Sequence, residues 1–142
     1  MVIWIIAGLA LAAAATFFFL AQKSKAGIAI GLVDGVLAPC PAAPNCVSSE
    51  AGTPESHAIT ALPASAWDRL PDIVLQSGGR LIEVRRDYLA AEFSTKLMGY
   101  VDDVEFRKAE DAVHVRSASR VGHSDFGVNR KRVEALRAAL RE

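Results

Sequence analysis

Near its start the chain runs through twenty consecutive positions without a charge, residues 2–21, "VIWIIAGLALAAAATFFFLA". At 1.5 Å rise per residue, a helix of that length spans a hydrocarbon core of roughly 30 Å, so residues 1–25 are expected to form a transmembrane anchor. A cleavable signal peptide is the rival reading. It would carry an apolar region of about 7–15 residues behind a basic leader, and no Lys or Arg precedes this run. Beyond the anchor the pattern loses its period, and residues 26–59, rich in Gly, Pro, Ala and Ser, read as an extended connector.

From residue 60 to 142 periodicity returns and predicts one α+β domain. Trp67, Leu70 and Val74 recur at helical spacing, with Ser65 as the expected cap and Asp68 three residues on. Pro71 should kink or shorten this helix, and "SGG" at 77–79 should end it. At residue 80 the period becomes two, and "RLIEVR", "YLAAEFST", "YVDDVEFRK" and "AVHVRSASR" predict four strands joined by turns too short for crossover helices. "SDFGVNRKRVEALRAALRE" then sets Val133, Leu136 and Leu140 on one stripe of a last helix, with Ser124 or Asp125 as its cap. The expected fold is thus an N-terminal transmembrane helix, a helix, a four-stranded antiparallel meander and a C-terminal helix packed on one face of the sheet.

A turn centred on Glu110 and Asp111 would set Glu105 opposite Arg116, Arg107 opposite His114, Val104 opposite Ser117 and Phe106 opposite Val115. Val104, Phe106, Val113 and Val115 then point to the helices. Asp103, Glu105, Arg107, His114, Arg116 and Arg120 share the other face, expected to be a solvated charged surface. Asp102 and Ser119 fall on the covered face at the strand ends, where a carboxylate needs an Arg, a Ser or a helix N-terminus.

Composition changes this picture little. Net charge is zero, but residues 112–142 hold seven basic and three acidic side chains, and "NRKR" at 129–132 puts three cations where a helix dipole disfavours them. That balance is too mild for a nucleic-acid-binding domain. The cations call for an acidic complement, either Asp102, Asp103 and Asp125 within the domain or an external anion gathered by Arg116, Arg120 and Arg130.

Two cysteines, Cys40 and Cys46, bracket "PAAPN" and could close as a disulfide in an oxidising compartment or stay as two thiols on a cytosolic loop. Two ligands make a poor zinc site, and His123 with Asp125 would need His57 or His114 as a third ligand, so no metal or cofactor is expected. Lys23 and Lys25 after the anchor favour a cytoplasmic domain, whereas a disulfide favours the extracytoplasmic side. "HSD" at 123–125 holds the residue types of a hydrolase triad, but sequence neighbours cannot form the relay. Asp102 and Asp103 point to opposite faces of one strand and cannot act as an acid and base pair.

"PCPAAPNCVSS", "GYVDDVEFR" and "RSASRVGHSDFGVNRKRVEALR" resemble the signature of the domain of unknown function family numbered 1499, over about residues 38–141. The resemblance implies a small envelope-associated or organellar protein with no established reaction. It marks Cys40, Cys46, Asp102, Asp103, Glu105, Arg116, Ser117, Ser119, Arg120, Asp125, Asn129 and Arg130 as signature positions.

The sequence therefore points to a membrane-anchored, extracytoplasmic and non-enzymatic module. Arg116, Ser117, Ser119, Arg120, Asn129 and Arg130 would bind an anionic ligand such as a lipid headgroup, or a protein partner. Asp102, Asp103, Glu105 and Asp125 would form a structural charge cluster. The alternative is a hydrolase or transferase using Ser117, Ser119 or Asp102.

Overall fold

Alternating apolar residues at 80–119 build an antiparallel meander, as their period of two requires. The computed structural model describes all 142 residues. In chain order it contains α1 (Val2–Ala26), β1 (Leu32–Val33), β2 (Val36–Leu37), β3 (Cys46–Ser48) and β4 (Leu62–Pro63). A 3-10 segment (Ala64–Arg69), α2 (Leu70–Gln76), β5 (Arg80–Val84), β6 (Tyr88–Ser94), β7 (Val101–Lys108), β8 (Ala112–Ser119) and α3 (Val128–Ala139) follow. The chain is α+β, with an apolar N-terminal helix, antiparallel sheets and a C-terminal helix.

The main sheet has six strands rather than the expected four. Its order is β3-β8-β7-β6-β5, and β4 pairs with β8 as well. Cys46 and Val47 lie opposite Ala118 and Ser117, while Leu62 lies opposite Val113. The outer edge of β8 would otherwise offer a row of unpaired backbone groups. The two pieces that cover it are two or three residues long, too short to show a period in the sequence.

Register within the meander follows the alternation: Glu105 faces Arg116, Phe106 faces Val115 and Arg107 faces His114. Val104, Phe106, Val113 and Val115 are fully buried with Leu70, Val74, Val133 and Leu136, so α2 and α3 cover this face. Neither the 3-10 segment nor α2 has a side-chain cap, so Ser65 does not start a helix as expected. Pro71 does not kink α2, but the α-helix is short, as expected, and begins only at Leu70. Pro71 lies in the first turn, where its missing N–H costs nothing.

The other face departs from expectation. Residues 27–40 lie across it, with Leu37 packed on Tyr88 and Ala90 beside Ala29 and Leu32. Glu105 is 0% and Arg116 3% exposed, so the expected solvated face is an interior. Alternation identifies which residues share a face. It does not reveal that an aperiodic segment will return to cover them.

The apolar helix α1 leaves 0% of its most hydrophobic window buried and is long enough to cross a membrane. Its last turns nevertheless dock on the sheet, where Ala21 and Ser24 are buried. The Arg120 guanidinium donates to the Ser24 carbonyl at 3.0 Å, adding to the 3.3 Å bond that this carbonyl accepts from the Gly27 N–H at the helix end.

Candidate functional site

The residues marked by the sequence gather where β7 begins and β8 ends, but the sheet divides them into two networks. On the helix face, the fully buried Ser117 donates its hydroxyl to Asn129 Oδ1 at 2.6 Å. Asn129 Nδ2 donates to Ser119 Oγ at 2.9 Å, to Asp125 Oδ2 at 2.8 Å and to the Asn45 carbonyl at 3.1 Å. Asp102 is held by Arg132, whose Nη2 lies 2.6 Å from Oδ2 and whose Nη1 reaches Asn129 and Ser117. The Arg132 guanidinium also stacks 5.0 Å from the Phe93 ring centre.

Arg132 is the member of this network that sequence reasoning missed. Its signal was present, since "NRKR" demanded an acidic complement and Arg132 lies three residues after Asn129, on the same side of the helix. Gly127 occupies the N-cap position of α3 without a side chain, and free N–H groups of the helix start are taken instead by Asp125, two residues earlier. Its Oδ1 accepts the Gly127 N–H and its Oδ2 the Asn129 N–H, both at 2.9 Å. Burial works to raise the Asp125 carboxyl, but those N–H groups and the Asn129 amide outweigh it and hold the group below its usual range. The anion that the helix start requires is therefore the chain's own. Arg130 is exposed and donates to the carbonyls of Ala58 at 2.8 Å and Ser56 at 3.3 Å.

On the second face, Arg120 grips Asp103 through two parallel bonds, Nε to Oδ2 at 2.8 Å and Nη2 to Oδ1 at 2.6 Å, and also meets Glu92. The hydrogen bonds it donates to Asp103 raise the Arg120 guanidinium against the opposing effect of burial. Arg120 thus neutralises Asp103, not Asp102. Glu105 accepts three donors: the Tyr88 hydroxyl at 2.7 Å, the Gly31 N–H at 2.7 Å and Arg116 Nη1 at 3.1 Å. Burial, and then the Glu105 carboxylate, push the Tyr88 hydroxyl well above its ordinary range. Farther along the same face, Glu50 takes a bidentate pair from Arg107 at 2.7 and 2.8 Å.

Arg116 is the exception among these charged groups. It is 3% exposed, it hydrogen-bonds Glu105 alone, and its Nε has no partner. It lines a cavity of about 480 Å³ together with Asp103, Arg120, Ile28, Ile30 and Pro39. The disulfide between Cys40 and Cys46, with Cα atoms 5.6 Å apart, holds one wall of that cavity in place.

A six-stranded antiparallel sheet carrying an apolar N-terminal helix and an ion-paired strand end defines a small α+β module with one incompletely used arginine. The chain belongs to the family described as Protein of unknown function (DUF1499), which it matches over residues 36–140. No curated protein and no solved structure matches it.

Proposed function

We propose that the protein is a membrane-anchored, non-catalytic module of the cell envelope, with its domain on the extracytoplasmic side, that binds the oxyanion of an anionic lipid in the cavity floored by Arg116. One observation carries this reading. A buried guanidinium with an unpartnered Nε is costly unless something supplies an acceptor, and Arg116 lines a cavity of ligand size. Ile28, Ile30 and Pro39 flank it with apolar surface, as an amphiphile requires. The cavity also begins at Gly27, the residue after α1, so a lipid is the nearest source of such a ligand.

The other cations named by the sequence support the reading by elimination. Arg120 and Arg132 are committed to Asp103 and Asp102, and Arg130 is satisfied by backbone carbonyls. The disulfide favours an oxidising compartment, and we weigh it above the bias set by Lys23 and Lys25. A hydrolase or transferase reading has less behind it, because the hydroxyls of Ser117 and Ser119 are engaged by Asn129, an amide that cannot serve as a general base.

The test is calorimetric titration of the full chain in neutral nanodiscs, with inorganic phosphate in one arm and decanoate in the other. Binding of decanoate that weakens at least tenfold in Arg116→Lys, which keeps the charge beside Glu105 but loses the fork, and that persists in Arg130→Ala is expected. Binding of phosphate alone would reassign the site to a free anion. Equal affinity in Arg116→Lys and the parent chain would overturn the role of Arg116.

A further inference from the structure

We infer that the β6–β7 turn and the β8–α3 loop enter the interfacial layer of the bilayer beside α1, and that the cleft they form with α1 takes a phospholipid acyl chain. The inference rests on the anchoring reading above, and it concerns a surface separate from the Arg116 cavity. The Tyr100 hydroxyl donates to the Phe17 carbonyl at 3.1 Å. Phe17 lies four residues before Ala21, the end of the apolar run, so that carbonyl lies about 6 Å inside it along the helix axis. With α1 spanning the hydrocarbon core, Tyr100 stands at its border, where tyrosine is enriched. The domain cannot then be held away from the membrane on a flexible stalk.

The chain around that contact suits such a position. Leu97 is 92% exposed and Phe126 88% exposed, large apolar side chains with no cover from the rest of the domain. Phe126 keeps φ at +52°, a conformation that disfavours an aromatic residue, while Asp125 and Ser124 bond the backbone on either side of it. Lys96 is in the same turn as Leu97, and Gly99 packs against the Lys25 side chain, so cations meet the level of the headgroups. Between these loops and α1 lies a cleft of about 370 Å³ whose apolar wall is formed by Phe17, Leu20, Tyr100, Val121, Phe126 and Val128, while the carboxylates of Asp102 and Asp125, which also line it, are held by Arg132 and by the start of α3. Phe17 and Leu20 belong to the membrane-spanning run itself, so the cleft opens towards the acyl chains. That continuity selects lipid as its occupant.

The experiment uses the full chain in liposomes whose lipids carry bromine on the acyl chains, which quenches nearby tryptophan. Trp4→Phe and Trp67→Phe give a background into which Leu97→Trp, Phe126→Trp, Val128→Trp or Val84→Trp is introduced, and a fifth chain keeps Trp4 alone. Val84 is 58% exposed at the opposite end of the strands, so it serves as the dry control. At least twofold quenching at positions 4, 97, 126 and 128, with none at 84, is expected. Quenching at 4 without quenching at 97 and 126 overturns membrane entry and leaves the anchor standing. Quenching at 97 and 126 but not at 128 overturns the acyl chain in the cleft. No quenching at 4 overturns the anchor itself. Circular dichroism of each variant before reconstitution identifies any that fails to fold, for which Leu97→Cys or Phe126→Cys, labelled with a bromine-quenched fluorophore while Cys40 and Cys46 stay joined, takes its place.

Discussion

Ser24 in the last turn of α1 holds both backbone groups of Val101, the first residue of β7. Its hydroxyl accepts the Val101 N–H at 2.7 Å and donates to the Val101 carbonyl at 3.0 Å. A helix thereby does for the start of an inner strand what a neighbouring strand would do. All these atoms are buried, so Ser24→Ala leaves the Val101 N–H without a partner and its carbonyl with only the 3.5 Å bond from the Arg120 N–H, at a cost of about 1–3 kcal/mol. Urea unfolding of the detergent-solubilised chain should show that loss. Hydrogen exchange should show faster exchange at Val101 than at Val104, which the same substitution leaves paired.

Arg120 and Arg130 are both cations of the signature, yet their substitutions should differ sharply. Arg120→Ala strands Asp103, whose side chain is 7% exposed, and removes the bond to the Ser24 carbonyl. Removing one partner of a buried pair costs about 3–5 kcal/mol. Arg130→Ala removes only exposed bonds to carbonyls that water can replace, and the expected loss is below about 1 kcal/mol. Unfolding midpoints in urea measure both, and equal losses would contradict the placement of Arg130.

The contrast between these two arginines also marks what the sequence reveals. Strand register was legible, because the Glu110 and Asp111 turn and the strict alternation of Val104, Phe106, Val113 and Val115 leave only one way to bury an apolar face. The demand for a counter-charge to "NRKR" was legible too. Which carboxylate answers which arginine was not, since Asp102 and Asp103 are adjacent in sequence but face opposite sides, and Arg132 reaches one while Arg120 reaches the other. The cover over Glu105 and Arg116 was hidden for another reason. It comes from extended backbone, in which Gly31 donates an N–H to Glu105, and a main-chain donor leaves no trace in side-chain pattern.

Acid should loosen the fold through Glu50 and Asp125. Burial favours the neutral form of Glu50. The Arg107 hydrogen bond, the Leu37 N–H, and the nearby charges of His114 and Arg107 outweigh it, so the carboxyl titrates below its ordinary 4.5. Asp125 likewise titrates below its ordinary 3.8. A group whose folded value is depressed stabilises the fold fully above the unfolded value, and that contribution is lost as pH falls through the folded one. Stability should therefore hold above about pH 5 and fall steadily below 4.5. Glu50→Gln should flatten that fall, and unfolding curves at pH 3, 4, 5 and 7 would measure it; an unchanged slope would mean that Glu50 is no better paired folded than unfolded.

The disulfide joins two functions that can be separated. Cys40 and Cys46 close a loop with a sequence separation of 6, for which chain-entropy arguments give about 2 kcal/mol. Cys46 is also the first residue of β3, and its neighbour Asn45 offers its carbonyl to the Ser119 N–H at 2.9 Å. Reduction should thus free the loop and loosen β3 at the edge of β8, while β5–β8 remain paired through their own ladders. Cys40→Ser with Cys46→Ser should lower stability by about 2 kcal/mol. It should speed amide exchange at Val47 and Ser119 and leave Val104 protected. The same bond reports on topology. If the domain lies outside the cytoplasm, alkylation of rapidly quenched cells followed by mass measurement should find both thiols blocked in the parent chain. Two alkylated cysteines would place the domain with Lys23 and Lys25 on the cytoplasmic side.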